Sequence, residues 1–365
     1  MISLGSLLPA LTLRFELNQV AAGSLASLLP FGILAGSIVF GPVVDRYGYK
    51  TLLIVCTALV FLGLEGIAVT QAFVFLQVSI FVIGFGGGVL NGATNALVAD
   101  ISAEGRGAGL SFLGVFFGIG ALGMPAVLGL LSRILSQETI IAAIGVIVLL
   151  VAVFFMVIRF PAPKQAQGFP LVRGVSLIKD ATLILFGFIL FFESGMEGMM
   201  NNWTTTFLEK EVGATTESAL FALSWFVAGL TVTRLALSKL LKYVSMWTAL
   251  FVSVGVILAG GAILLLSTGY AAALAGLLLL GIGFAAVFPV VLGTIGDIYA
   301  GISGTAFSVA LVISLFGNMM LNYVVGIVAQ FYGIRYFPAI VLTSLCIMLL
   351  LMLKAKKKVV TGQHQ

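Results

Sequence analysis

Apolar residues along this chain run in long uninterrupted blocks rather than in the alternation of strands or the narrow stripes of soluble helices. A helix needs about 20 apolar residues to cross a hydrocarbon core, and blocks near that length lie at 20–44, 51–70, 73–99, 107–132, 138–160, 181–208, 218–238, 245–267, 270–297, 302–328 and 334–353. A further block, 1–15, holds only about thirteen apolar residues before Arg14, which predicts a first helix truncated by about ten residues. The pattern predicts an all-α integral membrane protein of twelve spans, eleven of them full-length, numbered here in chain order.

The breaks between blocks carry the orientation, because Lys and Arg stay preferentially on the cytoplasmic side. With the N-terminus inside, the inner breaks take fourteen of the 18 basic residues, Arg46, Lys50, Arg106 and Arg234 among them, and the outer breaks take Arg14, Arg133, Lys210 and Arg335. Both termini are therefore expected in the cytoplasm, and the location is expected to be the cytoplasmic (inner) membrane of a bacterium. The longest polar connection, 161–180, combines Pro161, Pro163 and Pro170 with basic residues and reads as a cytoplasmic linker. It divides the chain into a six-helix half at 1–160, a second at 181–353 and a cytoplasmic tail at 354–365.

Composition agrees with a lipid surround: 61% of residues are hydrophobic and 8% charged, against about 25% charged in soluble proteins. The net charge of +5 does not point to nucleic acid, since the cations sit in short breaks where they orient helices. Cys56 and Cys346 lie in apolar runs without ligand partners and read as packing residues. No basic n-region precedes the first apolar run, so no cleaved signal peptide is expected.

A weak internal repeat supports two halves. GFGGGVLNGATNALVAD from Gly84 in span 4 aligns with GIGFAAVFPVVLGTIGD from Gly281 in span 10, pairing Gly84 with Gly281, Gly86 with Gly283 and Asp100 with Asp297.

Polar residues inside the blocks are the candidate chemistry. Glu193 and Glu197 lie four apart on one face of span 7 and lead into Asn201, Asn202 and Trp203. A charge at mid-bilayer costs roughly 2.5–3.5 kcal/mol even on a lenient scale, so two carboxyls one turn apart mark a proton-exchange or solute site, or else one acid that stays neutral and bonds a neighbouring helix. Asn91 with Asn95, and Asn318 with Asn322, repeat the four-residue spacing. Their amides match the donor-acceptor edge of a sugar or equally serve as interhelical glue. Trp203 offers either a stacking face or an interfacial anchor. Glu65, near the outer end of span 3, reads as a snorkelling or paired carboxyl, and Arg14 as an interfacial charge or a partner for Glu16 or an anionic solute. GFGGG lies within a span and lacks the Lys-Ser/Thr of a phosphate loop. The only histidine is His364 and no catalytic or metal-ligand cluster exists, so an enzyme, a metal centre and a cofactor are not expected.

Between spans 2 and 3 stands GPVVDRYGYK, with Gly41, Asp45, Arg46, Gly48 and Lys50. It resembles the signature loop of the major facilitator superfamily, Gly-x-x-x-Asp-Arg-x-Gly-x-Lys/Arg, at all five fixed positions. Asp45 can cap or pair at a helix end, so the loop is expected to act as a conformational latch. The equivalent stretch of the second half, 229–243, has no acid, and a second latch is not expected there.

Within the superfamily the chain is similar to the fucose/glucose/galactose symporter group over most of its length. The resemblance rests on SLLPALTLRFELN in span 1, Asn91 and Asn95 in span 4, FFGIGALGMP in span 5, Glu197 with Trp203, Phe207 and Leu208 in span 7, and GIGFAAVFP in span 10 followed by Gly304, Thr305 and Ala306. It implies a major facilitator fold of two six-helix bundles and a transporter moving a small polar solute, a sugar, by alternating access, with a central site among spans 1, 4, 7, 10 and 11. Asn91, Asn95, Glu197, Asn201, Asn202, Trp203, Asn318 and Asn322 are the substrate-binding candidates. That group carries acids in spans 1 and 4, whereas span 1 here has none and span 4 has Asn91. Coupling, to H+ or Na+, would then fall to Glu193 and Glu197, with Glu65 a third candidate. Efflux of drugs or lipids, and a transport-dead membrane sensor, stand as alternatives. A monomer in lipid suffices.

Overall fold

The computed structural model describes residues 11, 14–17, 19–102, 105–131, 134–164, 176–267 and 269–362. The expected first span and most of the linker lie outside the described residues. Among the described residues twelve α-helices follow: α1 (Gln19–Tyr47), α2 (Tyr49–Val69), α3 (Phe73–Ile101), α4 (Arg106–Leu131), α5 (Gln137–Val157), α6 (Ala181–Phe207), α7 (Thr216–Leu240), α8 (Met246–Leu266), α9 (Tyr270–Phe284), α10 (Val287–Ile298), α11 (Ser303–Phe331) and α12 (Phe337–Gly362). Among the described residues ten stretches are long and apolar enough to cross a membrane.

The helix starts are written locally. Asp180, Thr215 and Ser245 each accept a backbone N–H in the first turn of α6, α7 and α8, and Ser136 does the same for α5, satisfying donors that a helix start leaves open. Gly48 separates α1 from α2 at φ +77°, a left-handed conformation that costs glycine little. Expected span 10 is interrupted: α9 ends at Phe284 and α10 begins at Val287. Pro289, which lacks an N–H for the preceding turn, supplies the reason.

The helices cluster into two compact units, one of Met1–Leu97, Gly120–Gly174 and Gly301–Ser308, the other of Val98–Ile119, Val175–Ala300 and Val309–Gln365. In the first, α2 packs along α5, and in the second α8 and α7 flank α9 while α12 packs on α6. The repeat glycines do the same work in each unit. A Cβ at Gly84 would lie 2.5 Å from the Leu29 carbonyl of α1, and one at Gly86 would lie 2.9 Å from the Cys56 carbonyl of α2. Gly281 meets the Phe226 carbonyl of α7, and a Cβ at Gly283 would lie 2.8 Å from the Ile257 nitrogen of α8. Two neighbours approach each glycine-bearing helix at backbone contact, so side chains at these positions would force the helices apart.

Candidate functional site

Helix α6 carries most of the candidates, and its entry is fixed. Asp180 Oδ1 accepts from Thr182 N at 2.7 Å and Leu183 N at 3.2 Å. The same carboxylate accepts from the Tyr299 hydroxyl, whose pKa is pushed up by burial and by Asp180, so the phenol stays protonated and donates.

Towards the C-terminal end of α6 the amides form a closed ladder with α11. Asn318 donates to the Ser194 carbonyl at 3.1 Å, Asn322 donates to the Asn318 carbonyl at 2.8 Å, and Asn322 Oδ1 accepts from both Asn202 (3.0 Å) and the Trp203 indole N–H (3.1 Å). The Trp203 ring rests near Gly326, and Asn201 donates to the Glu197 carbonyl of its own helix. Five predicted residues, Asn201, Asn202, Trp203, Asn318 and Asn322, thus meet largely by bonding one another or their own backbone.

Three turns into the same helix the arrangement is different. Glu193 is 1% exposed, and its Oε1 has no hydrogen-bond partner. Glu197 Oε2 lies 3.5 Å from Nη2 of Arg234 on α7, a long single contact where a guanidinium can make two short ones. Both Glu197 and Arg234 act electrostatically on the Glu193 carboxyl. Arg234 is 6% exposed, and its Nε is also without a partner.

This overturns one expectation. Arg234 is not an inner-break cation but a buried counter-charge within α7, in contact with the acid pair. The signal was present, since Arg234 falls inside the predicted span 218–238, but counting basic residues by side of the membrane absorbed it. Helix α4 holds it in place: Ser111 donates to the Arg234 carbonyl at 2.8 Å, and Gly114 lies against its side chain.

The signature loop is built as a helix cap contributed from elsewhere in the chain. Asp45 is 1% exposed; its Oδ1 accepts from Gly304 N at 3.1 Å, and its Oδ2 from Thr305 N at 2.8 Å and Thr305 Oγ1 at 2.6 Å. These donors open α11, where the helix dipole favours an anion. Gly41 lets α11 approach, since a Cβ there would lie 2.8 Å from Thr305 Cα. Lys164 acts electrostatically on Asp45, Arg46 lies over the Tyr47 ring, and Lys50 is exposed. A second charged contact joins the start of α4 to the end of α10, where Arg106 pairs with Asp297 and donates from Nε to the Ala99 carbonyl at 3.0 Å. Asp297 is the repeat partner of Asp100, and its pairing with Arg106 was not anticipated from the sequence.

The remaining candidates sit in the first unit. Asn95 donates to the Asn91 carbonyl at 2.8 Å, one turn away on α3. Glu65 does not pair: its Oε1 is buried against Gly145 of α5 without a hydrogen-bond partner. Arg14 binds the carbonyls ending α2, at 3.2 Å to Ile67 and 2.7 Å to Thr70, and pairs with Glu138 at 3.5 Å, which is a structural cap. A groove of about 480 Å3 beside α6, lined by Phe192, Leu321, Val324, Tyr332 and Ile340 among others, is apolar and includes none of the predicted site residues.

Comparison with known proteins agrees with this architecture. The sequence profile of the Major Facilitator Superfamily matches residues 1–320. An uncharacterised MFS-type transporter of Bacillus subtilis, YfkF, is 28% identical over 196 residues, which is 52% of this chain and 49% of that protein, so the match spans about half of the relative's length. The fold is similar to that of the E. coli fucose:proton symporter FucP, with a TM-score of 0.82 at 19% identity over 97% of this chain and 95% of the other. It is also similar to that of the proton:xylose symporter XylE, with a TM-score of 0.76 at 16% identity over 97% and 91%. At these identities the likeness is one of fold. The profile match and the membrane-length helices lead to one conclusion: the chain belongs to the major facilitator superfamily and is a multi-pass membrane protein.

Proposed function

We propose that the protein is a secondary active transporter that moves a small polar solute, a sugar, across the cytoplasmic membrane by alternating access, coupled to protons at Glu193 and Glu197. The observation that carries this reading is the cluster of buried Glu193, half-buried Glu197 and buried Arg234, with Glu193 Oε1 and Arg234 Nε left without partners. A guanidinium is permanently charged, so two carboxyls against one guanidinium balance when the pair holds one proton. Taking up or giving up that proton changes the charge of a site in an apolar surround, and such a change can be made to depend on which side is open. The sugar part of the reading draws on the proteins of like fold, which are named as fucose and xylose symporters, and on the Asn91 and Asn95 amides of α3.

Asp45 on the N-terminus of α11 acts as the latch, holding one conformation until the cap is released. Both termini lie in the cytoplasm, and the protein works as a monomer in lipid. Domain limits at 1–160 and 181–353 follow from the linker.

The reading is tested in proteoliposomes loaded with the purified protein and offered labelled fucose, xylose and glucose with and without an inward proton gradient. Saturable uptake enhanced by the gradient is expected, and absence of saturable uptake for every sugar removes the substrate claim. Efflux of amphipathic compounds is the second reading, favoured by the apolar groove beside Phe192. Lowered drug resistance on deletion, with no sugar uptake, would select it.

A further inference from the structure

We propose that Arg234 is the positioning residue of the proton site, and that the contact of α4 with α7 decides where its guanidinium sits. This rests on reading Glu193 and Glu197 as the group that exchanges the proton.

Three residues of α4, spaced three and four apart and therefore on one face, meet the stretch of α7 that bears Arg234. Ser111, fully buried, donates to the Arg234 carbonyl at 2.8 Å. At Gly114 a Cβ would lie 2.8 Å from Arg234 Cδ and 3.3 Å from Nε, so the side chain occupies the space a larger residue would fill. At Gly118 a Cβ would lie 3.2 Å from Thr231 Cβ, one turn earlier on α7. Helix α4 thus forms one wall of the slot that aims the guanidinium. Held there, the guanidinium reaches Glu197 at 3.5 Å and leaves its own Nε and Glu193 Oε1 unfilled. An ion pair serving only as glue would be short and filled on both sides.

The charged groups acting on Glu193 are Glu197 on its own helix and Arg234 on α7. From α11 the neighbouring polar group is the neutral Asn318, bonded to Ser194. Asp297 of α10 is paired with Arg106, and the lysines of α12 lie in its C-terminal turns, from Lys354 onward. Arg234 is therefore the one cation acting on the acid pair among the described residues. When α4 parts from α7 the slot opens, the guanidinium is free to leave the acid pair, and the proton occupancy of the pair follows. The contact between two helices is in this way converted into a protonation state.

The test uses the full chain in detergent with Cys56 and Cys346 replaced by Ala and with Gly118→Cys and Thr231→Cys introduced, so that oxidation locks the α4–α7 contact. Infrared difference spectra between this protein and the same protein carrying Glu193→Gln isolate the protonated-carboxyl band, which is followed against pH. A cation within about 4–6 Å moves a carboxyl's titration by about 1–3 pH units, so the midpoints of the oxidised and reduced forms should differ by about one unit or more. Adding Arg234→Gln together with Glu197→Gln, which keeps the cluster neutral and foldable, should abolish that difference. Equal midpoints in the oxidised and reduced forms, or a difference that persists without Arg234, overturns the proposal while leaving the proton site intact. Absence of any titrating band overturns the proton site itself. Neither outcome depends on knowing the solute.

Discussion

Helix α6 holds two polar clusters about a turn apart, and they are built on opposite terms. Along its C-terminal half Asn202 and Trp203 donate to Asn322 Oδ1, Asn322 to the Asn318 carbonyl and Asn318 to the Ser194 carbonyl, at 2.8–3.1 Å. Nearer its middle Glu193 shares a side-chain hydrogen bond with Glu197, Glu197 meets Arg234 only at 3.5 Å, and Glu193 Oε1 and Arg234 Nε are left buried without partners. A closed amide ladder joins helices at modest gain, about 0.6 kcal/mol per contact in membranes. An open charged cluster costs stability, because a buried polar atom without a partner loses about 1–3 kcal/mol. Residue type alone therefore does not distinguish the two clusters of this helix; completion of the hydrogen bonds does.

The largest effect is expected at the open cluster. Arg234→Met should lower stability by about 3–5 kcal/mol, since it strands buried carboxyls, and Glu197→Gln in the same chain should restore much of it. Thermal melts of the purified single and double variants check this; a single variant as stable as the parent would mean the pair is not charged. Next comes Asp45, the proposed latch, whose carboxylate accepts three hydrogen bonds. Asp45→Asn weakens charge-assisted bonds worth about 1.5–3 kcal/mol each, so it should shift the conformational balance at least about tenfold. Alkylation rates of a cysteine placed along the solute path read that shift.

The closed ladder should respond less. Asn322→Ala removes its contacts to Asn202, Trp203 and Asn318 and should cost about 1–2 kcal/mol while sparing transport. Loss of uptake with an unchanged melt would instead make the ladder part of the solute site and dissolve the contrast. The smallest effect belongs to Asp297→Asn. Its side chain is largely exposed, and an exposed ion pair contributes about 0–1 kcal/mol, so only a slight change in melt and uptake is expected.

How much of this was readable from the sequence follows from the range of each interaction. Span length is a local property, so eleven blocks map onto helices, and the acid pair stands out because its cost is local too. The loop motif announced Asp45, but its donors lie 259 and 260 residues further along the chain, and no periodicity links them. Arg234 was misassigned because a cation six residues from a helix end looks like an inner-break charge until a partner on another helix is known. The break in span 10 had a local sign, Pro289, overshadowed by an apolar run long enough to cross unbroken. Which polar groups are satisfied is a tertiary property, and the distinction between the two clusters of α6 was for that reason invisible before the helices were packed.

The central claim is that the open cluster carries coupling. It is tested most directly by gradient-driven accumulation against equilibrium exchange of a labelled transported sugar in proteoliposomes bearing Glu193→Gln. The account predicts that exchange persists while accumulation under an inward proton gradient falls to the level without one. Accumulation equal to that of the parent protein would contradict it.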